Sequence, residues 1–343
     1  MSSEECLSKY LRRITIYSFD DIRSRVLSKY LERVDIKSPK RDPVNRAREI
    51  YVKKMSRCLE EVINSVSQCD NIPDTGSMHN FYSELIRNIY GDKYDQVLRE
   101  CRSVRPIAKK IYREYKNKIV SANDVEEIKR ISREFIGRLL SLAKRKLRDI
   151  ETLRRVVIEL SKTPCLEENT KKIVLTGMPQ VGKSTFLSVI SRAKPEISNY
   201  PFTTKNIIAG HFIDEKRNIR VMFLDTPGIL DRPISEMNPI ELRAVYAIKH
   251  LPDAAIFIID PRRNFYYTLD QQLKTFDTVR ELLGDKKMYV AINKIDAASE
   301  EEINEAIKRF SEEKKIDPRD IFLISALKRI GVDQLLERVL RDL

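Results

Sequence analysis

Apolar residues recur at intervals of three to five through Val125, Ile128, Ile131, Phe135, Leu139, Leu142, Leu147, Ile150, Leu153 and Val157. A helix gathers such positions on one face, so the spacing predicts one long amphipathic helix from residue 125 to about residue 160. Ile86, Ile89 and Val97 repeat the spacing, as do Ile107, Ile111 and Tyr115. The first half of the chain is therefore expected to be an antiparallel helical bundle. The period stops over residues 161–169, where Pro164 meets polar neighbours. That change places a domain boundary, with residues 1–168 helical and residues 169–343 forming a second domain.

Beyond the boundary, short apolar runs at 172–176, 221–224, 254–259, 288–292 and 321–324 alternate with helical stretches. This alternation predicts a doubly wound α/β domain with a mainly parallel sheet. Residues 207–212 and 219–224, separated by a polar turn, read as a hairpin that adds one antiparallel strand. The fold class expected is a helical bundle followed by an α/β domain.

The chemistry lies at the ends of those runs. Gly177-Met178-Pro179-Gln180-Val181-Gly182-Lys183-Ser184 fits the pattern G-x-x-x-x-G-K-[ST] and sits between an apolar run and a helical stretch beginning at Thr185. There, backbone N–H groups wrap the α- and β-phosphates of a nucleotide, Lys183 reaches the β,γ-phosphates, and Ser184 ligates Mg²⁺. Asp225-Thr226-Pro227-Gly228 follows the run at 221–224. Asp225 is placed to hold Mg²⁺ through water, and the Gly228 N–H to meet a γ-phosphate. Asn293-Lys294-Ile295-Asp296 selects the base: Asp296 accepts the N1 and N2 hydrogens of guanine, Asn293 braces the loop, and the Lys294 stem covers the ring. Adenine offers no such pair of donors, and buried polar groups left unpaired reject it. Ser325-Ala326 ends a further apolar run, where a backbone N–H reaches the guanine O6. Between the first two motifs, Asn199-Tyr200-Pro201-Phe202-Thr203-Thr204 stands where a switch segment closes over Mg²⁺; the residues alone leave Thr203 and Thr204 as alternatives.

Composition narrows the classes. A length of 343 residues suits two domains, and 42% hydrophobic content suffices for packed cores. No apolar run approaches the ~18 residues of a membrane span. The first residues, Met1 to Glu5, lack the features of a signal peptide, so a cytoplasmic location is expected. Five cysteines without C-x-x-C spacing suggest reduced structural thiols. Three histidines without metal-ligand spacing argue against zinc. Of the net charge of +13, residues 1–168 carry +10, from 36 lysines and arginines against 26 acids. Basic residues concentrate at Arg99, Arg102, Arg105, Lys109, Lys110, Arg113, Lys116 and Lys118, and at Lys144, Arg145, Lys146, Arg148, Arg154 and Arg155. Such clusters bind phosphate backbones by counterion release, and are equally the pattern of solvated bundle faces.

The phosphate loop, the segment 199–204 and Asp225-Thr226-Pro227-Gly228-Ile229-Leu230-Asp231-Arg232-Pro233 together resemble the Obg-like GTPases, and among them the nucleolar GTP-binding protein (Nog) family. His79-Asn80-Phe81-Tyr82-Ser83-Glu84-Leu85 and Tyr112-Arg113-Glu114-Tyr115 resemble segments of that family's helical domain. The resemblance implies that Thr204 is the switch residue on Mg²⁺, giving Lys183, Thr204 and Gly228 the catalytic roles. Ile229 stands where Ras-like enzymes orient the attacking water with glutamine, so slow intrinsic hydrolysis is expected, completed by a partner, a cation or a remodelled switch. Gln180 replaces the family's usual asparagine, which leaves K⁺ as a second, uncertain cofactor beside Mg²⁺. Arg192 and Arg232 are alternatives as arginine fingers. The implied partner beyond GTP and GDP is the large ribosomal subunit precursor or its rRNA, bound by a monomer with no membrane attachment. Ending at Leu343, the chain resembles the family's compact, archaeal-type form. Alternatives are a structural RNA-binding factor stabilised by GTP, a signalling GTPase unrelated to ribosomes, and a signal-recognition-particle-type GTPase, which the D-T-P-G and N-K-I-D sequences fit less well.

Overall fold

The computed structural model describes residues 6–36, 42–166, 170–191, 194–199, 201, 206–214, 219–226 and 249–343. The helices of the first half are α1 (Leu7–Leu11), α2 (Phe19–Leu31), α3 (Pro43–Asn71), α4 (Asn80–Tyr90), α5 (Lys93–Ser121), α6 (Val125–Lys146) and α7 (Ile150–Ser161). Their starts follow from local chemistry. Asp42 caps α3 by accepting from Asn45 N at 2.9 Å, with Pro43 in the first turn, where its missing N–H costs nothing. Asp124 caps α6 by accepting from Glu126 N and Glu127 N.

The single long helix expected from residue 125 to about 160 is two helices. The apolar positions run through the division without changing face, Ala143 and Leu147 being four apart and Leu139 and Leu147 eight apart, so the break is set by the backbone. There Leu147 leaves helical geometry (φ −104°, ψ 18°) and Asp149 O accepts from Thr152 N as α7 begins.

The chain forms two compact units, one of Leu11–Met78 with Tyr90–Ile158, the other of Met1–Tyr10 and His79–Ile89 with Glu159–Leu343. In the first, α3 packs on α5 and α6, and α2 on α3, around fully buried Val26, Met55, Cys58, Val62, Ile128 and Phe135.

The second unit holds a seven-stranded sheet of order β2-β3-β4-β1-β5-β6-β7. Its strands are β1 (Lys171–Thr176), β2 (Glu196–Asn199), β3 (Asn206–Asp214), β4 (Ile219–Asp225), β5 (Ala254–Ile259), β6 (Lys287–Ile292) and β7 (Ile321–Leu323). β4, β1, β5, β6 and β7 pair in parallel, whereas β3 is antiparallel to both β2 and β4. The hairpin is thus present as β3 and β4, and β2 is an edge strand that the apolar pattern did not announce. β5 is buried at every position, as a central parallel strand requires. Helix α8 (Lys183–Ile190) and the last helix, Val332–Asp342, contribute Phe186, Leu187, Leu335 and Val339 to one core layer with Ile173, Phe223 and Ile256. Phe257 of β5 meets Phe276 of α9 (Leu269–Leu283) edge to face at 5.1 Å, and Phe276 meets Phe310 at 5.3 Å. Phe310 follows α10 (Glu300–Lys308), and Val332–Asp342 is α11.

The cysteines depart from expectation. Cys6 is bonded to Cys165 in the second unit and Cys69 to Cys101 in the first, leaving Cys58 as the buried free thiol. Cα separations of 5.6 and 6.3 Å lie within bridging range. Spacings of 159 and 32 residues gave no local signal, because the pairs meet only through tertiary packing. Burial pushes the Cys58 thiol up to about 12.

Candidate nucleotide-binding site

The phosphate loop leaves β1 at Gly177 and enters α8 at Lys183. Gly177 has φ +130° and Gly182 φ +107°, and at both a Cβ would overlap a fixed neighbour, Ile258 O in one case and Asn293 Nδ2 in the other. Only glycine meets both demands. Gln180 also takes positive φ, at 64°, and is exposed. Met178 and Val181 are buried beneath the loop, Pro179 is half-buried, and Thr185 is exposed on the first turn of α8. Lys183 is 6% exposed and donates from Nζ to Gly177 O at 2.8 Å and Met178 O at 2.9 Å, so its ammonium is held within the loop. The N-terminus of α8 adds backbone donors and a positive dipole end, a setting suited to phosphate.

Asp225 ends β4 beside β1, opposite Leu175, and is completely buried. Ser184 Oγ donates to its Oδ2 at 2.7 Å. A hydroxyl and a carboxylate oxygen side by side next to the phosphate loop form a hard-oxygen donor set, which fits Mg²⁺.

The base side is joined to this loop by Asn293, 2% exposed at the end of β6. Its Nδ2 donates to Val181 O at 2.8 Å and its Oδ1 accepts from Ala326 N at 2.9 Å. One amide thus pins the phosphate loop to the Ser325-Ala326 loop, and both residues of that loop are 1% exposed. Lys294, at φ 61°, donates from Nζ to Gln180 O at 2.8 Å. Its side chain spans from the base motif back to the phosphate loop. The Asp296 side chain is 15% exposed, with Lys328 Nζ 3.3 Å from Oδ2. A hydrogen bond from Ser325, followed in effect by Lys328, holds its carboxyl below the ordinary aspartate value. Asp296 is therefore an anion, an acceptor for two N–H donors.

Sequence reasoning missed Asp260. It follows β5, is fully buried, and lies 2.9 Å from Lys294 Nζ. Arg262 donates to it twice, from Nε at 2.9 Å and Nη2 at 2.7 Å. Gln272 of α9 fixes its backbone, accepting from Asp260 N and donating to Asp260 O. Burial alone would raise this carboxyl, and the hydrogen bonds from Arg262 and Lys294 bring it below the usual aspartate value. The available signal was positional, since Asp260, like Asp225, is the acid at the end of a wholly apolar run. Phe265 was also missed; Lys294 Nζ sits 5.3 Å from its ring centroid.

Gly177, Lys183, Ser184, Asp225, Asn293, Lys294, Ser325 and Ala326 thus converge, with Asp296 beside Ser325. Thr203, Thr204, Pro227, Gly228, Ile229, Arg192 and Arg232 lie outside the described residues. Of the first basic cluster, Arg102 donates to Cys69 O and Ile72 O, Arg105 pairs with Asp70, and Lys118 with Glu114.

A family model described as the NOG1 N-terminal helical domain matches residues 18–166, and one described as nucleolar GTP-binding protein 1 (NOG1) matches residues 239–296. Both matches are to the NOG1 family. Nucleolar GTP-binding protein 1 of Caenorhabditis elegans is 31% identical over 288 residues, covering 83% of this chain and 42% of that protein. The Saccharomyces cerevisiae protein of the same name is 29% identical over 265 residues, covering 76% of this chain and 40% of its own length. The chain spans about two fifths of the length of these relatives. A crystal structure of a Plasmodium falciparum protein described as nucleolar GTP-binding protein 1 is 29% identical, covers 52% of this chain and 89% of that one, and has a TM-score of 0.44. The cytoplasmic expectation is overturned, because NOG1 relatives are named for the nucleolus, which points there rather than to the cytoplasm. Among the described residues, no helix is long and apolar enough to cross a membrane.

Proposed function

We propose that this chain is a GTP-binding and GTP-hydrolysing switch acting in assembly of the large ribosomal subunit. The observation that carries the nucleotide reading is Asn293, whose one side chain ties Val181 of the phosphate loop to Ala326 of the base-side loop. Phosphate and base are then read by one rigid frame. Asp296 accepts the two guanine N–H donors, the Ser325-Ala326 loop stands on the O6 side, and the Lys294 stem covers the base.

Lys183 and the amides of residues 177–184 hold the phosphates, and Ser184 with Asp225 would hold Mg²⁺. When bound, that ion would neutralise phosphate charge as it develops. Thr204 and Gly228 close on the γ-phosphate in this reading. Water attacks the γ-phosphorus as the bond to the bridging oxygen breaks, giving GDP and inorganic phosphate, with the proton from water passing to solvent. With Ile229 in place of a water-orienting amide, intrinsic turnover is slow. K⁺ stimulation is tested by replacing KCl with NaCl at constant ionic strength; a rate independent of the cation removes K⁺ from the scheme.

The ribosomal part rests on the basic helical unit and on the relatives' nucleolar naming. The monomeric protein, with a nonhydrolysable GTP analogue, is retained on large-subunit precursor particles and released with GDP. Co-sedimentation at physiological salt tests this. Equal binding in both nucleotide states, or equal binding to small subunits, would overturn the switch.

A further inference from the structure

We propose that the helical unit contains a built pocket for one unstacked nucleotide of single-stranded RNA, formed by Phe19, Leu147, Lys144, Arg145 and Arg148. This deepens the ribosomal reading above, since it assigns the RNA contact to a place on the chain.

The pocket is a groove of about 550 Å³ between the start of α2 and the end of α6, lined by Phe19, Ser141, Lys144, Arg145, Leu147 and Arg148. Its volume lies within the range of small-ligand sites. Half-buried Phe19 and buried Leu147 give it an apolar floor, and the three cations stand exposed at its rim.

Charge argues for a polyanion. From residue 135 to residue 148 the sequence holds Arg138, Lys144, Arg145, Lys146 and Arg148 and no acid. Several other cations of this unit are engaged: Arg105 with Asp70, Lys118 with Glu114, Lys129 with Glu126 and Arg154 with Glu151. Among the described residues, no ion pair is formed by Lys144, Arg145 or Arg148. The C-terminus of α6 accounts for part of this charge, but a helix end offers only about half an elementary charge to neutralise. Asp20 and Asp21, both exposed in the first turn of α2, offset a further part, and Asp21 is also engaged in the α2 cap, accepting from Ser18 N at 2.9 Å.

The aromatic floor argues for a base. Phe19 is the first residue of α2, and the reciprocal Ser18–Asp21 cap fixes the backbone on which it stands. A ring held beside several guanidinium and ammonium groups is the combination by which proteins stack an unpaired base while holding its phosphates. An acidic peptide would use the cations and leave the ring without a role. The break after α6 creates the groove, since continuing the helix would carry Leu147 and Arg148 away from their present positions.

The test uses the full chain without added nucleotide and a fluorescein-labelled oligouridylate, compared with an RNA duplex of the same length. Phe19→Leu keeps the apolar volume and removes the stack. It is expected to weaken single-strand binding about 5- to 10-fold and to leave duplex binding unchanged. Replacing Lys144, Arg145 and Arg148 together by glutamine is expected to weaken both and to flatten the log–log salt dependence by ~2. Lys118→Gln, at a cation already paired with Glu114, serves as the control and stays within about twofold. An unchanged single-strand affinity in Phe19→Leu, or an unchanged salt slope in the triple variant, overturns the proposal. So does competition by polyglutamate as effective as that of oligouridylate, which would make this an acidic-protein site. Should the triple variant fail to fold, photocrosslinking of 4-thiouridine RNA to the unaltered protein decides. Adducts at Phe19 or within 141–148 support the pocket, and adducts only elsewhere overturn it. Because no GTP is added, failure of the switch leaves this result readable, and failure of the pocket leaves nucleotide-dependent retention on subunits to be read by itself.

Discussion

Asp296 is anionic and partly shielded, so its two oxygens are poised as acceptors, and a change that turns one into a donor should change which base fits. In Asp296→Asn the amide N–H faces the guanine N2 donor, leaving two donors opposed. We expect GTP affinity to fall ~100-fold or more and affinity for xanthosine triphosphate, which carries an oxygen at that place, to rise. Competition binding measures the ratio, and an unaltered preference for guanine would remove Asp296 from base recognition. Asp260 makes a different kind of contribution, since it positions Lys294 without touching the nucleotide. Asp260→Asn should cost ~2 kcal/mol in urea unfolding at neutral pH, less than a fully buried pair because Lys294 and Arg262 keep 29% and 26% of their side-chain exposure. The folded-state carboxyl is depressed, so its contribution is complete above the unfolded aspartate value of ~3.9 and is lost as pH falls through the folded value. The gap between wild type and variant should therefore close in acid; a gap that persists there would assign the effect to packing. At this scale the candidate site residues that converge were legible because phosphate and guanine would each demand fixed residue types at fixed spacings. Asp260 was not, because its role depends on Lys294 folding back across the loop, a tertiary fact.

Among elements, the phosphate loop shows the strictest demand on backbone. Gly182→Ala must accommodate φ +107° and a Cβ colliding with the Asn293 amide. The expected result is at least ~10-fold weaker nucleotide binding, with a stability cost of ~1–3 kcal/mol that leaves the fold intact. Gly137 in α6 is the counterexample, with ordinary φ and open space around it. Gly137→Ala should stabilise by ~0.5–1 kcal/mol, and a destabilisation there would contradict the surface assignment. Strands and hairpin were visible in the apolar runs, since central parallel strands are buried on both faces. The division between α6 and α7 was hidden because Leu139, Ala143, Leu147 and Ile150 keep a helical spacing straight across it. The two disulfides were hidden for a further reason: Cys69 and Cys101 face each other only because α3 and α5 pack side by side.

At the scale of the whole molecule, the strand order explains why five distant sequence segments make one site. β4, β1, β5, β6 and β7 are consecutive and parallel, so Asp225, Gly177, Asp260, Asn293 and Ser325 emerge at the same edge, at or just after the C-terminal ends of neighbouring strands. Ligands of open α/β sheets bind at that edge. A ligand bridging these strand ends must also resist their separation, and that gives a prediction independent of any single side chain. With GDP and Mg²⁺ at one hundred times Kd, amides of β1, β5 and β6 that exchange through unfolding of their unit should gain ~2.7 kcal/mol of protection, a ~100-fold slowing. ATP at the same concentration should leave them unchanged, because the Asp296 carboxylate accepts from a pair of N–H groups that adenine does not supply. Equal slowing by ATP would reduce the site to a phosphate-binding loop without base selection. Slowing by neither nucleotide would reject the nucleotide site itself, whatever the spacing of its motifs.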